Sequence, residues 1–283
     1  MTEIKDYTQG KITWCAGCGD FSILNAVKRA FVELNIQPEN LAFTSGIGCS
    51  SKISYWTKAY GFSGLHGRGL QLALGAKLAN RNLTVFSAAG DGDLLGEGVN
   101  HLIHTARKNI DVTLILHNNQ VYGLTTGQKS PTSEKGFITI STPKGVVEDP
   151  LNPLLLALTS GSTFIARCFA GDLNHITKII AEGIKHKGFS FIEILQPCVT
   201  YNYLNTYDYW KERCYDLQQN KYDFTNKEEA FKKMHEYGKK MPVGIFYKIN
   251  KPSYEELFKQ TKIPSYKHNI DNINIDKLFE EFR

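Results

Sequence analysis

The chain has 283 residues, 42% of them hydrophobic and 22% charged, enough to bury one full α/β core with an accessory segment. Its net charge of +5 is modest and no block of Lys and Arg stands out, so a nucleic-acid partner is unsupported and the small excess is read as solvated surface charge. No run of 18 apolar residues occurs, which excludes a helical membrane span, and residues 1–10 (MTEIKDYTQG) lack the apolar core of a signal peptide, so a reducing, cytoplasmic setting is expected.

Along the chain, Asp20 is expected to cap a helix whose apolar stripe is Ile23, Leu24, Val27, Phe31 and Leu34. The strand LAFTS (41–45) follows and runs into the glycine-rich turn S-G-I-G-C-S-S-K around Cys49. Residues 69–79 (GLQLALGAKLA) read as a buried, small-residue helix entered through L-H-G-R-G, with His66 and Arg68 at its start. Residues 83–89 (LTVFSAA) and 112–117 (VTLILH) are unbroken apolar runs, as strands buried on both faces are. Residues 94–107 between them fit a helix with one apolar face. Residues 131–152, rich in Pro, Gly, Ser and Thr, read as a long loop. A helix starts over Leu154 to Leu158, and strands at 163–169 and 189–195 flank a helix at 172–186. This alternation predicts a doubly wound, mostly parallel α/β sheet within residues 1–200. Residues 201–283 are richer in Tyr, Lys, Asn and Glu. They are expected to form a C-terminal extension packed on the core or on a partner, because Tyr201, Tyr203, Tyr207, Tyr209, Trp210, Phe246 and Tyr247 need burial.

The candidate chemistry lies at two strand ends. Gly90-Asp91-Gly92-Asp93 ends one apolar strand, and Asn118-Asn119 ends the next, with Asp91 and Asn119 28 positions apart. A carboxylate and an amide oxygen suit Mg²⁺, which completes its octahedron with phosphate oxygens and water. The glycines let backbone approach a phosphate, and the following helix points N–H groups at it. A lone G-D-G would suit an ordinary helix-capping turn; the double Asn and two flanking strands favour a diphosphate held through a metal. Six cysteines are present. Cys15 and Cys18 form C-x-x-C, Cys49 sits in the glycine-rich turn, and Cys198 follows a strand at a proline. Four thiolates suit Zn²⁺ or an iron–sulfur cluster, and C-x-x-C alone also suits a redox pair. Cys168, in an apolar run, reads as a core thiol, and Cys214 as exposed.

G-D-G followed about 25–30 residues later by N-N resembles the signature of thiamine-diphosphate enzymes. The resemblance implies Mg²⁺ bound by Asp91, Asn119 and the carbonyl of Val121, with the diphosphate against the backbone of Gly90, Gly92 and Asp93. W-C-A-G-C-G-D-F, G-I-G-C-S, L-H-G-R, G-D-G-D-L-L-G, V-Y-G-L-T-x-G-Q and S-P-T, in that order, resemble the β subunit of the 2-oxoacid:ferredoxin oxidoreductases over roughly residues 11–205. That resemblance implies a 4Fe–4S cluster on Cys15, Cys18, Cys49 and Cys198. It also implies a thiamine diphosphate site that includes Gly48, Cys49, Ser50, His66, Tyr122, Gly123, Leu124 and Thr125. His66 is expected to contact the diphosphate or substrate, Lys52 the carboxylate of a 2-oxoacid, and Leu124 to shape the side-chain pocket. A plain structural histidine and an exposed lysine are the alternatives for the first two. Some relatives carry Lys where this chain has Thr126, which leaves the choice of acid open.

One doubly wound unit is half of a thiamine site. The resemblance therefore implies an α (or fused α/γ) partner subunit that supplies the pyrimidine-binding domain and an activating Glu. The implied reaction is oxidative decarboxylation of a 2-oxoacid to an acyl-coenzyme A, with electrons leaving through the cluster to ferredoxin. A non-oxidative thiamine-dependent decarboxylase or lyase subunit would explain the Mg²⁺ motif without using the four cysteines. A zinc-stabilised binding protein would explain the cysteines without using Asp91 and Asn119.

Overall fold

Unbroken apolar runs set the centre of the molecule. In the computed structural model, which describes residues 1–258, 262–269 and 274–282, the strands are β1 (Leu41–Ser45), β2 (Tyr60–Ser63), β3 (Thr84–Gly90), β4 (Thr113–Asn118), β5 (Val121–Tyr122), β6 (Gln128–Lys129), β7 (Phe164–Phe169), β8 (Ser190–Leu195), β9 (Cys214–Asp216) and β10 (Met241–Lys248). Eight of them form one sheet in the order β2-β1-β3-β4-β8-β7-β10-β9, and β5 pairs with β6 as a small separate hairpin. All pairings in the large sheet are parallel except β7 with β10. Strands β1, β4, β7 and β8 are buried along their whole length. With helices on both faces neither side of these strands meets water, so their sequences do not alternate.

The α-helices of seven or more described residues are α1 (Asp20–Glu33), α2 (Gly69–Ala79), α3 (Val99–Lys108), α4 (Pro153–Ser160), α5 (Leu173–Lys185), α6 (Tyr207–Arg213) and α7 (Lys227–Met234). Helices α1 and α5 cover one face, where Ile23, Val27 and Phe31 meet Phe43, Phe86 and Ile180. Phe31 approaches Phe43 and Phe86 edge-on, with ring centroids 6.3 and 5.4 Å away. Each such buried ring stabilises the fold by about 1.5–3 kcal/mol. The other face is covered by α2, α3, α4 and α7 through Leu70, Leu102, Leu154 and Met234.

Several expectations need correction. Asp20 is the first helical residue rather than the cap; Gly19 holds the cap position without a side-chain bond. The Asp20 carboxylate instead turns into the core and pairs with His117 Nδ1 at 2.6 Å, both side chains being fully buried. Residues 94–107 are not one helix. A π-helical turn spans Gly92–Gly96, and α3 starts only at Val99. At the break Gly98 has φ −136° and ψ 12°, outside the helical region, and packs so closely on Gly67 that a Cβ there would lie 2.4 Å from the Gly67 carbonyl oxygen. Cys214 is half-buried in β9, beside the Trp210 cluster, rather than exposed. Cys168 is fully buried in the core. Beyond residue 200, β10 enters the sheet beside β7, burying Phe246 and Tyr247, and Trp210 is also buried. Tyr203 remains exposed. Residues 259–261, 270–273 and 283 of the C-terminal extension lie outside the described residues.

Register aligns the strand ends. Ser45 pairs with Ala88, Gly90 with His117, and Asn118 with Leu195. The segments after β1, β3, β4 and β8 therefore leave the same edge of the sheet, at the carboxyl ends where α/β sheets place ligands.

Candidate functional site

A cleft opens at that edge. Gly48, Cys49, Ser50, His66, Gly90, Asp91, Gly92, Asp93, Asn119, Val121, Tyr122, Gly123, Leu124 and Thr125 all line it, together with Ile47. Lys52 does not; it sits within the 3₁₀ turn Ser50–Trp56, near enough to the Cys49 thiol to favour its ionisation. A larger cavity, of about 300 Å³, lies at the opposite edge. Its Lys77 and Lys187 both pair with Asp111, at 2.9 and 3.5 Å, so its charges largely satisfy one another.

The two asparagines face different ways. Asn118 points into the core, donating to Glu193 Oε1 at 2.6 Å, while Glu193 Oε2 accepts from Arg167 Nε at 2.7 Å. Thr132 Oγ1 lies 2.6 Å from Asp91 Oδ2 and 2.9 Å from Asn118 Oδ1. A buried polar chain thus runs from Asp91 through Thr132 and Asn118 to a fully enclosed ion pair. Asn119 instead faces the cleft, its Oδ1 accepting from the Val121 N–H at 3.1 Å. Burial raises the Asp91 pKa, against the hydroxyls of Ser130 and Thr132 and the Asn119 N–H, which favour the carboxylate. Thr132 belongs to the S-P-T motif, whose role the sequence did not disclose.

Asp93 draws three loops together. Its Oδ1 accepts from the Ile47 N–H at 3.0 Å and the Gly67 N–H at 2.8 Å, and lies 3.1 Å from His66 Nδ1. His66 is thereby held at the cleft with a third of its side chain exposed. Tyr122 closes the other side. Its hydroxyl donates to the Gly92 carbonyl at 2.8 Å, and a Cβ on Gly92 would lie 2.5 Å from its ring. Burial, helped by Glu97, Asp91 and Asp93, pushes the Tyr122 phenol up to about 12. Leu124, 44% exposed, stands at the cleft rim as its apolar part.

The cysteines come from three strand-end or loop segments. Trp14 ties two of these together: its Nε1 donates to the Cys49 carbonyl at 2.7 Å, and its ring meets Trp56 edge-on at 4.3 Å. The Gly19 N–H donates to the Pro197 carbonyl at 3.2 Å, joining the C-x-x-C segment to the Cys198 turn. A Cβ on Gly123 would touch Cys198 Sγ at 3.7 Å, Cys49 Sγ at 3.8 Å and the Asn119 amide at 3.8 Å. Burial, then Asp20, Cys198 and Cys15 nearby, push Cys49 up to about 11, although Lys52 opposes. Burial, Asp20 and Cys198 also raise Cys18. For Cys198 the N–H groups of Tyr201, Thr200 and Asn202 oppose burial, which wins. Cys15 is exposed. Among the described residues no three His, Cys, Asp or Glu side chains are grouped to hold a single metal ion.

Comparison with known proteins gives a consistent result. Residues 46–194 match the thiamine pyrophosphate enzyme, C-terminal TPP binding domain family, and residues 198–263 match the family formed by the C-terminal part of the pyruvate ferredoxin oxidoreductase beta subunit. The 2-oxoacid:ferredoxin oxidoreductase 1, subunit beta of Aeropyrum pernix is 45% identical over 271 residues, covering 92% of this chain and 84% of that protein. The corresponding subunit beta of Saccharolobus solfataricus is 44% identical over 268 residues, covering 90% of this chain and 88% of its own. Among solved structures, a 2-oxoglutarate:ferredoxin oxidoreductase from Magnetococcus marinus, with 2-oxoglutarate, coenzyme A and succinyl-CoA bound, superposes with a TM-score of 0.92. It is 36% identical, covering all of this chain and 96% of its own. With the strand-end cleft and its motifs in place, these matches put the chain in the 2-oxoacid:ferredoxin oxidoreductase family, as a β subunit of that multi-subunit enzyme.

Proposed function

We propose that the cleft holds thiamine diphosphate through Mg²⁺, and that the four thiols beside it hold a 4Fe–4S cluster that drains electrons to ferredoxin. The observation that carries this reading is Gly123, which lies between Asn119 on one side and Cys49 and Cys198 on the other. Such closeness gives a reaction at the thiamine site a short electron exit. The donor sets fit the groups. A buried carboxylate, an amide oxygen and a carbonyl suit a hard cation. Four thiols suit iron–sulfur ligation, and Zn²⁺, being redox-silent, would accept no electrons.

When bound, thiamine diphosphate supplies the nucleophilic carbon and electron sink that decarboxylation of a 2-oxoacid needs, and the cluster supplies one-electron transfer. The chain's own residues bind and orient. Asp91 and Asn119, with the Val121 carbonyl, anchor the cation, and the Gly90–Asp93 backbone receives the diphosphate. Asp93 fixes His66 toward the cleft, where its imidazole contacts diphosphate or substrate. Tyr122 packs over Gly92 and excludes water, and Leu124 borders the substrate side chain. Lys52, outside the cleft lining, meets a substrate carboxylate only from its rim. An α or fused α/γ subunit supplies the activating Glu and the pyrimidine-binding surface. The coenzyme A and succinyl-CoA bound by the Magnetococcus marinus enzyme support acyl transfer to coenzyme A here.

The test is anaerobic co-expression with the partner subunit, followed by 2-oxoacid- and coenzyme A-dependent viologen reduction over a panel of acids. Asp91→Ala should lose thiamine diphosphate binding by calorimetry while keeping about four irons per chain. Cofactor binding at wild-type affinity in that variant would remove Asp91 from the metal site. Wild-type protein without iron would remove the cluster.

A further inference from the structure

Gln196 lies between the sheet and the cysteines and has no part in the reading above. It is buried to 1% exposure, directly after β8 and two residues before Cys198. Its side-chain amide sits with Nε2 3.2 Å from Cys18 Sγ and 3.3 Å from the Pro197 carbonyl oxygen. The carbonyl can only accept, which fixes the NH₂ end of the amide toward the sulfur. The other end, Oε1, is buried and has no hydrogen-bond partner among the described residues. Leaving an acceptor unsatisfied costs stability, so the orientation is retained against a penalty. The segment is also built to admit this side chain. A Cβ on Gly19 would lie 2.8 Å from Gln196 Cγ, and the Gln196 N–H donates to the Asn118 carbonyl at 3.0 Å.

We propose that Gln196 is a positioning residue that tunes the reduction potential of the cluster, through an N–H···S hydrogen bond to Cys18. The proposal rests on the cluster reading above. An N–H dipole aimed at a ligating sulfur stabilises the more electron-rich, reduced cluster and so raises its potential. Of the two buried groups against Cys18, Asp20 brings a carboxylate, with Oδ2 3.5 Å from Sγ, and works in the opposite direction. Gln196 offsets that negative neighbour and makes the cluster a better acceptor for electrons from the adjacent thiamine site.

The experiment is a redox titration followed by electron paramagnetic resonance on the co-expressed holo complex, comparing wild type with Gln196→Met and Gln196→Glu. Met keeps the length and removes the donor; Glu replaces the donor with carboxylate oxygen. Both variants should keep four irons per chain and shift the reduction equilibrium several-fold toward the oxidised cluster, Glu more than Met; a tenfold shift is about 59 mV for one electron. The Fe–S stretching bands in resonance Raman should move in the same variants and should lose their sensitivity to D₂O. Unchanged potentials in variants with full iron would overturn the proposal. Loss of iron from both variants would also overturn it, by making Gln196 a structural support of the pocket. Wild-type protein lacking iron would instead overturn the cluster reading.

Discussion

Thr132 shows how much of a strand-end site is decided away from its motif. Its hydroxyl is 2.6 Å from the Asp91 carboxylate in a place without water access. A hydrogen bond to a charged group contributes about 1.5–3 kcal/mol. Thr132→Val keeps the shape and removes that bond, and it also takes a partner from Asn118. Mg²⁺-dependent thiamine diphosphate affinity should fall by roughly tenfold or more, about 1.4 kcal/mol per decade, while iron content stays at the wild-type level. Calorimetry with matched iron assays separates the two, and unchanged affinity would show that the Asp91 geometry does not depend on Thr132. The placing of Asp91 and Asn119 at neighbouring strand ends was legible in the sequence because it is fixed by local rules: glycine turns, strand ends and spacing. Thr132 stood in a motif without a role. Asp20 with His117, and Gln196 with Cys18, were illegible because each pair is 97 or 178 positions apart and meets only through sheet register.

At the scale of elements, the buried strands were readable because parallel sheets enclosed by helices need unbroken apolar segments. Edge strands carry no such signal. Tyr60–Ser63 is only four residues long and exposed throughout, so no buried apolar run marks it. The π-helical turn after Asp91 was hidden for a different reason, since the Gly67–Gly98 contact found at the break is tertiary. Strands β7 and β8 expose one further dependence. Arg167 and Glu193 face each other across the pair and are both 1% exposed. Removing one partner of a buried ion pair costs about 3–5 kcal/mol, because the other charge is left unmatched. Arg167→Met should therefore unfold at markedly lower denaturant concentration. Because Glu193 also holds Asn118, the same variant should weaken thiamine diphosphate binding. The double variant Arg167→Met with Glu193→Gln should recover much of the stability. A double variant as unstable as the single would locate the cost in packing instead of charge.

The whole molecule separates chemistry from closure. The cleft occupies the carboxyl edge of the sheet, while the other edge is where the C-terminal segment is tied in. There Asn109, in a left-handed conformation at φ 51°, accepts from the Phe189 N–H at 3.0 Å and donates to the Pro252 carbonyl at 3.1 Å. Thr163 Oγ1 bridges this asparagine at 2.6 Å to His186 Nε2 at 2.7 Å. His186 is 4% exposed. Burial first, then the Lys248 ammonium, lowers its pKa from the usual 6.5 to about 4, against a weaker pull from Asp111. In the unfolded chain the same imidazole protonates near 6.5, so between these values the unfolded state binds more protons. The stability His186 allows is complete above about 6.5 and is lost as pH falls toward 4. The loss is on the order of 3 kcal/mol at 1.36 kcal/mol per pH unit. His186→Gln keeps a group that can bond Thr163 but cannot become charged. Its melting temperature should fall less between pH 6.5 and 4.5 than that of the wild type, with the two curves running parallel above pH 7. Because the site is at the far edge, thiamine diphosphate affinity at pH 7 should not change. Melting curves of equal steepness across the acid range would mean that other groups, and not this histidine, set the acid limit of the fold.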